Sequence, residues 1–393
     1  MRDKRLPRRT ILEELEKRIQ GDATYDSGKI IGSMCTQPHN LAKYVYTKCL
    51  EKNLGDPGLF PATAELEKEA IQMLGSLLSN SNPAGYIVSG GTEANTLALW
   101  VARNRSMKEH GEVIVPVSAH VSFEKAADLL GLKLIKIELN KFQVDVKAVE
   151  DAITSKTVAI IGVAGSTGLG TVDSISELSE IALAHGTYLH VDAAFGGFTL
   201  PFLKELGFTV PDFDFRLPGV SSITIDPHKM GLAPIPSGGI VFRDETIANV
   251  VRVNVPYMSG GEVDQNTLLG TRSGASAIAV WTLLNYLGRD GYREIIKRCM
   301  KLTWKLSEEI SQINEVSLVT TPIMNVVGIK SDIIDIQLLA QKLRKKGWAV
   351  ALFPGYMRLV IMPHVKPAHI ESFLEDLRIV IKELSKSILV KGN

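Results

Sequence analysis

The sequence carries almost no net charge, few cysteines and no long apolar run, and each absence excludes a class of function. Lys and Arg number 44 and Asp and Glu 43, a formal net charge of +1. There is thus no electrostatic footprint for nucleic acid or for an acidic membrane surface. No stretch approaches the roughly 18 consecutive apolar residues that cross a bilayer. The three cysteines, Cys35, Cys49 and Cys299, are odd in number and far apart. They make neither a disulfide framework nor a zinc pattern, so no metal is expected and a reducing, cytoplasmic compartment is. Internal repeats and low-complexity linkers are also missing. The basic start, Arg2 to Arg9, leads into Thr10-Ile-Leu-Glu13 and a charged run. That reads as a capping box opening an amphipathic helix, not as the apolar core of a signal peptide.

What is present is an ordinary globular composition, 393 residues with 45% hydrophobic and 22% charged, long enough for two or three domains. Residues 1–55 read as an N-terminal helical segment. Residues 56–290 alternate apolar runs with helical patterns, and the runs at 86–89, 112–117, 132–137, 158–163, 187–192, 222–225 and 239–242 are strand candidates. Several are apolar on both faces, which suits a mainly parallel α/β sheet covered by helices on each side. Residues 291–393 change to helix (291–312), strand (324–329), helix (333–346), two strands (348–352 and 357–361) and a last helix from Pro367, a small C-terminal α+β domain.

Three motifs carry chemistry. Ser89-Gly-Gly-Thr-Glu-Ala-Asn95 follows a strand and opens a helix whose free N–H groups and positive dipole end favour a phosphate. Asp192, in His190-Val-Asp-Ala-Ala-Phe-Gly-Gly197, closes an apolar strand, where ligands of open α/β sheets bind. Asp226-Pro-His-Lys-Met-Gly231 presents His228 and Lys229 just beyond another strand, where burial would lower the lysine pKa and make it an amine nucleophile. Each motif alone also reads as plain structure: a turn, a helix cap, a lysine reaching solvent. Together, with Asp192 37 residues before Lys229, they meet the needs of pyridoxal 5'-phosphate (PLP): an imine-forming lysine, an acid that keeps the ring nitrogen protonated, and a phosphate anchor.

The motifs SGGTEAN, HVDAAFGG and DPHKMG resemble the group II PLP-dependent amino-acid decarboxylases of fold type I, most of all the archaeal aspartate/tyrosine branch. The likeness extends through Asn53-Leu-Gly-Asp-Pro-Gly-Leu-Phe60, Ser122-Phe-Glu-Lys125, Ile235-Pro-Ser-Gly-Gly239 and Gly270-Thr-Arg272. It implies a seven-stranded PLP-binding domain and a role for each matching residue. Lys229 would hold the cofactor and Asp192 would pair with its pyridinium nitrogen. Ala194 and His120 would lie on its two ring faces. Gly91, Thr92 and His228 would bind the phosphate, and Thr167 would lie near the phenolic oxygen. Arg358 would bind the substrate carboxylate, with Arg272 a competing anchor, and Gln37, Pro38 and His39 would line the substrate pocket. Tyr257, in a polar glycine-bearing loop, would return a proton to Cα after carbon dioxide leaves, with His120 as second choice. Asp226 stands where many relatives carry Asn or Ser, and a second anion beside the phosphate would be repulsive.

The resemblance implies L-aspartate as substrate, giving β-alanine for coenzyme A synthesis, with L-tyrosine and then L-glutamate behind it. It also implies a homodimer with shared sites, in which Asn53 to Phe60 could reach the neighbour. A carbon–carbon lyase of the sphingosine-phosphate lyase type and a non-enzymatic binding module are the alternatives from other classes.

Overall fold

The computed structural model describes residues 1–108 and 110–391, with side chains to 386. Its centre is a seven-stranded sheet built from β1 (Ala84–Val88), β2 (Glu112–Pro116), β3 (Lys133–Ile137), β4 (Thr157–Val163), β5 (Tyr188–Asp192), β6 (Val220–Ile225) and β7 (Gly238–Phe242). All seven coincide with the runs expected from the sequence. The order is β1-β7-β6-β5-β4-β2-β3. Only β7 runs against its neighbours, and every other pairing is parallel. Strands β2, β4, β5 and β7 are buried along their whole length, as strands inside a sheet covered by helices on both faces must be. Separate apolar clusters pack about the sheet, one containing Leu189, Val191, Ile223 and Ile225, another Leu97, Val113, Ile161 and Tyr188.

A second, antiparallel sheet forms near the C-terminus from β8 (Ser317–Leu318), β9 (Val326–Lys330), β10 (Ala351–Phe353) and β11 (Tyr356–Val360), in the order β8-β9-β11-β10. Its own core holds Trp348, Met357, Leu359 and Phe373, and Ile31 joins it from the N-terminal segment. Ile31 N donates to Ala349 O and Val360 N to Ile31 O, so residues near 30 are stitched to this sheet. No helix among the described residues is long and apolar enough to cross a membrane, and no group of His, Cys, Asp or Glu among them is arranged to hold a metal.

Several sequence expectations are corrected. The first helix starts at Arg8 with Pro7 at its N-cap, so Thr10 lies inside it and caps nothing; proline's fixed φ favours helix entry three residues earlier. The helix expected at 291–312 is the second half of Gly274–Ser311, interrupted at Gly288 (φ 54, ψ −170). The strand expected at 348–352 is Ala351–Phe353, because Trp348 N donates to Leu343 O and closes the preceding helix. Two short ribbons, Leu139–Asn140 with Gln143–Val144 and Val253–Val255 with Val263–Gln265, were not foreseen.

Candidate active site

The carboxyl ends of β1, β4, β5 and β6 surround a cavity of about 320 Å³ lined by Gly91, Thr92, His120, Thr167, Asp192, Ala194, His228 and Lys229, among others. After β1 the chain turns through Ser89 and Gly90 into the helix Gly91–Ser106. Glu93 folds back, its Oε2 accepting from Ser89 N at 2.8 Å, while the first-turn N–H groups stay free for an anion. The turn must be glycine. A Cβ on Gly91 would lie 2.9 Å from Asp226 Oδ2, and one on Gly238 would lie 2.4 Å from Gly90 Cα.

Strand β6 ends in the turn that carries the lysine, closed by Lys229 N donating to Asp226 O at 3.0 Å. Lys229 Nζ sits 3.0 Å from Asp226 Oδ2, and His228 Nε2 lies 3.6 Å from the same oxygen. His228 Nδ1 accepts from Ser237 N at 3.2 Å. The sequence expectation of a depressed lysine pKa is reversed here: burial opposes the charge on Lys229, but Asp226 and Asp192 outweigh it and hold the amine above its ordinary value. Burial pushes His228 and His120 down, against the pull of nearby carboxylates. His120 Nδ1 accepts from Ser122 N at 3.2 Å, so its proton is on Nε2.

Asp192, at the end of β5, accepts from Ala194 N at 3.1 Å through Oδ1 and from Asn95 Nδ2 at 2.9 Å through Oδ2. The cavity therefore joins a buried amine, an acid and a set of helix-start N–H groups.

A profile of the pyridoxal-dependent decarboxylase conserved domain matches residues 36–331. The chain belongs to that family. An L-aspartate decarboxylase from Thermococcus kodakarensis is 51% identical over 95% of this chain and 97% of its own length. An L-aspartate/L-glutamate decarboxylase from Pyrococcus horikoshii is 51% identical over 96% and 98%. A probable L-tyrosine/L-aspartate decarboxylase from Methanothermobacter thermautotrophicus is 50% identical over 90% and 98%. Among solved structures, a sphingosine-1-phosphate lyase from Burkholderia pseudomallei superposes with a TM-score of 0.91 at 28% identity, covering 100% of this chain and 95% of that one. A glutamate decarboxylase from Lactobacillus brevis gives 0.88 at 22%, covering 98% and 94%, which shows the shared fold.

As a PLP-dependent decarboxylase, the protein has groups that fit the cofactor. A glycine cradle opens on free N–H donors, an amine and an acid face the same cavity, and the buried Asp226 Oδ1 has no hydrogen-bond partner among the described residues. Asp226, whose charge beside the phosphate was expected to be repulsive, is the direct ion-pair partner of Lys229.

The expected substrate groups are placed less uniformly. Arg358, on β11, is 7% exposed. It donates through Nη1 to Thr167 O at 2.6 Å and through Nη2 to Gly32 O at 2.5 Å, while its buried Nε has no partner among the described residues. No carboxylate pairs with it among the described residues, and burial presses its pKa down. Such a buried, unneutralised guanidinium beside the cavity wall suits an incoming carboxylate. Arg272 is not brought to the cavity. Its fork is committed to Glu67, at 2.5 and 3.1 Å, and to Ile87 O at 2.9 Å.

His39 is spent as an N-cap, its Nδ1 accepting from Leu41 N at 3.2 Å. Neither it, Gln37 nor Pro38 lines the cavity, and Met34 does so from the same segment. Tyr257 is 81% exposed and outside the cavity; its loop is tethered by Gly260 N donating to Asp56 Oδ1 at 3.2 Å. The sequence reading passed over Asn95, His190, Ser222 and Thr224, all buried. For His190, Ser222 and Thr224 the signal was a polar residue at every second position of an otherwise apolar strand; Asn95 lies on the helix Gly91–Ser106, in a run buried from Glu93 to Leu99.

Proposed function

We propose that the protein decarboxylates L-aspartate to β-alanine and carbon dioxide, supplying coenzyme A synthesis in the cytoplasm. The relatives carry this choice: those cited at 50–51% identity over nearly the whole chain all have aspartate in their names. The three cysteines are free, in keeping with a reducing compartment. Bound PLP supplies the electron sink that accepts the pair left behind by carbon dioxide. The residues do the rest. Lys229 would hold the cofactor covalently and yield it to the substrate amine. Asp192 would keep a proton on the ring nitrogen. Gly91, Thr92 and His228 would grip the phosphate, with Ala194 and His120 on the ring faces and Thr167 at the phenolic oxygen. Arg358 would exchange a carbonyl partner for a substrate carboxylate.

Tyr257 cannot return the proton to Cα of a substrate held in its own chain's cavity as placed. We assign it to the cavity of a second copy, in a homodimer, with the loop from Asn53 to Phe60 beside it. We also keep the division into residues 1–55, 56–290 and 291–393: the non-helical Gly288 that interrupts the long helix supports the second boundary, while the first segment packs through Ile31 into the C-terminal core.

One observation favours L-tyrosine as a second reading. A larger recess of about 690 Å³ opens past His120 and Thr167, walled by Leu139, Phe142, Phe353 and Tyr356, and it would accept an aromatic side chain. L-glutamate is third, and cleavage of a phosphorylated long-chain base, the activity type of the 28%-identical lyase, is remote beside relatives at 51%. Turnover of the four substrates by the purified, PLP-loaded protein tests this, with amine products separated after derivatisation. β-Alanine should form fastest; tyramine as the sole product would overturn the aspartate assignment.

A further inference from the structure

Polar residues that the proposed chemistry does not use form one connected chain behind Asp192. Tyr188, His190 and Asp192 share a face of β5, and Ser222 and Thr224 stand beside them on β6, His190 in register with Ser222 and Asp192 with Thr224. Asn95, 1% exposed, reaches this face from the helix that opens at the phosphate turn. Asn95 Nδ2 lies 2.9 Å from Asp192 Oδ2 and 2.9 Å from Ser122 Oγ. Asn95 Oδ1 lies 3.0 Å from His190 Nε2 and 2.7 Å from Thr224 Oγ1. His190 Nδ1 lies 2.8 Å from Ser222 Oγ, which also meets Tyr188 OH at 2.7 Å.

The direction of every bond follows from one fact: a carboxylate only accepts. Asn95 must therefore turn its Nδ2 to Asp192 and its Oδ1 to His190, so both His190 Nε2 and Thr224 Oγ1 donate. Burial drops the His190 pKa to about 4, so the ring is neutral at physiological pH and Nδ1 bears a lone pair. Ser222 donates to that lone pair, and Tyr188 donates to Ser222. From Tyr188 to Asp192 each link donates in the same sense, and donors aligned in a low-dielectric interior polarise one another.

We propose that Asn95 is a positioning residue for the cofactor acid, holding the Asp192 carboxylate in one orientation toward the ring nitrogen and itself held in one amide orientation by His190 and Thr224. Its second N–H, to Ser122, ties the same amide to the residue whose backbone N–H fixes His120. One side chain thus registers the acid at the ring edge with the imidazole expected on the ring face. This rests on the placement of the ring nitrogen at Asp192. Asn95→Leu would remove the donor to Asp192 at similar volume and add no charge. His190→Leu would remove the donor that fixes Asn95, and His190→Gln would keep an N–H at about the place of Nε2.

The test is the 15N chemical shift of PLP labelled at the ring nitrogen, in substrate-free holoenzyme, with the PLP dissociation constant measured by titrating the apoprotein. Wild type and His190→Gln should show a pyridinium. Asn95→Leu should move to the range of unprotonated pyridine and bind PLP at least tenfold more weakly, within the 10–100-fold loss typical of partners that orient a ligating group. His190→Leu should fall between. A folded Asn95→Leu protein with wild-type shift and affinity would overturn the proposal. If that variant does not fold, the His190 pair decides, and equal shifts and affinities for Gln and Leu would overturn it as well. A wild-type holoenzyme with unprotonated pyridine would remove Asp192 from its role and the positioning proposal with it.

Discussion

Replacing Arg272 by methionine separates structural work from substrate binding. Arg272 and Glu67 are 11% and 9% exposed, and their fork joins the helix Pro61–Leu77 to the chain after Leu269. Glu67 also accepts from Ile87 N at 2.9 Å, and Arg272 donates to Ile87 O, so the pair clamps β1 just before the phosphate turn. Removing one partner of a buried pair leaves an uncompensated charge and costs about 3–5 kcal/mol. With an unfolding entropy of about 2.1 cal/mol/K per residue over the whole chain, that lowers the melting temperature by roughly 4–6 °C if it unfolds as one unit. Glu67→Gln in the same chain removes the stranded carboxylate and should recover part of the loss. Calorimetry of the single and double variants measures both. The KM for aspartate should stay within about twofold of wild type, since Arg272 does not line the cavity. An unchanged melting temperature with a KM raised about tenfold would refute this reasoning and restore Arg272 as a substrate anchor.

Arg358→Gln should behave in the opposite way, lowering kcat/KM by roughly 10–100-fold through loss of a charge-assisted bond to the substrate carboxylate; Arg358→Lys should restore little, because an ammonium cannot present the same fork. Tyr257→Phe should lower kcat by about 10²-fold or more with KM nearly unchanged, the size expected for a lost general acid; an unchanged kcat would remove it from the reaction. Acid should destabilise the fold through His190: the native pKa of about 4 lies below the ordinary value, so the unfolded chain takes up the proton first. Stability then falls as pH drops from about 6.5 to 4, by about 3 kcal/mol from this residue alone. In urea titrations across that range, His190→Gln should lack this share of the decline.

Much of this was written plainly in the chain. All seven strands of the main sheet were legible because they are short, apolar and bounded by turns, and the place of Lys229, Asp192, Ala194, Gly91 and Thr92 at the cavity was legible because each lies at or just beyond the end of such a strand. The misses have distinct physical causes. The ribbons Leu139–Val144 and Val253–Gln265 are too short and polar to show a period. His39 carries the residue type of a pocket yet does the work of a helix cap. Arg272 and Arg358 are the same residue type, and only the long-range partner, Glu67 for one and two carbonyls for the other, tells them apart. His190 escaped because a strand read for its apolar pattern hides the polar residues that alternate with it, and Asn95 because it lies in the buried run of the helix after the glycine turn.

The backward run of β7 has a consequence for how the enzyme could change its diet. Because Ile225 pairs with Gly239 across the ladder, the loop that bears Lys229 leaves and re-enters the same sheet edge, pinned at both feet. Arg358 hangs from another framework altogether, the C-terminal antiparallel sheet and its strap near Ile31. A lineage could therefore re-aim the guanidinium proposed to grip the incoming acid by altering one scaffold, while the amine proposed to bind the cofactor stays where the other has anchored it.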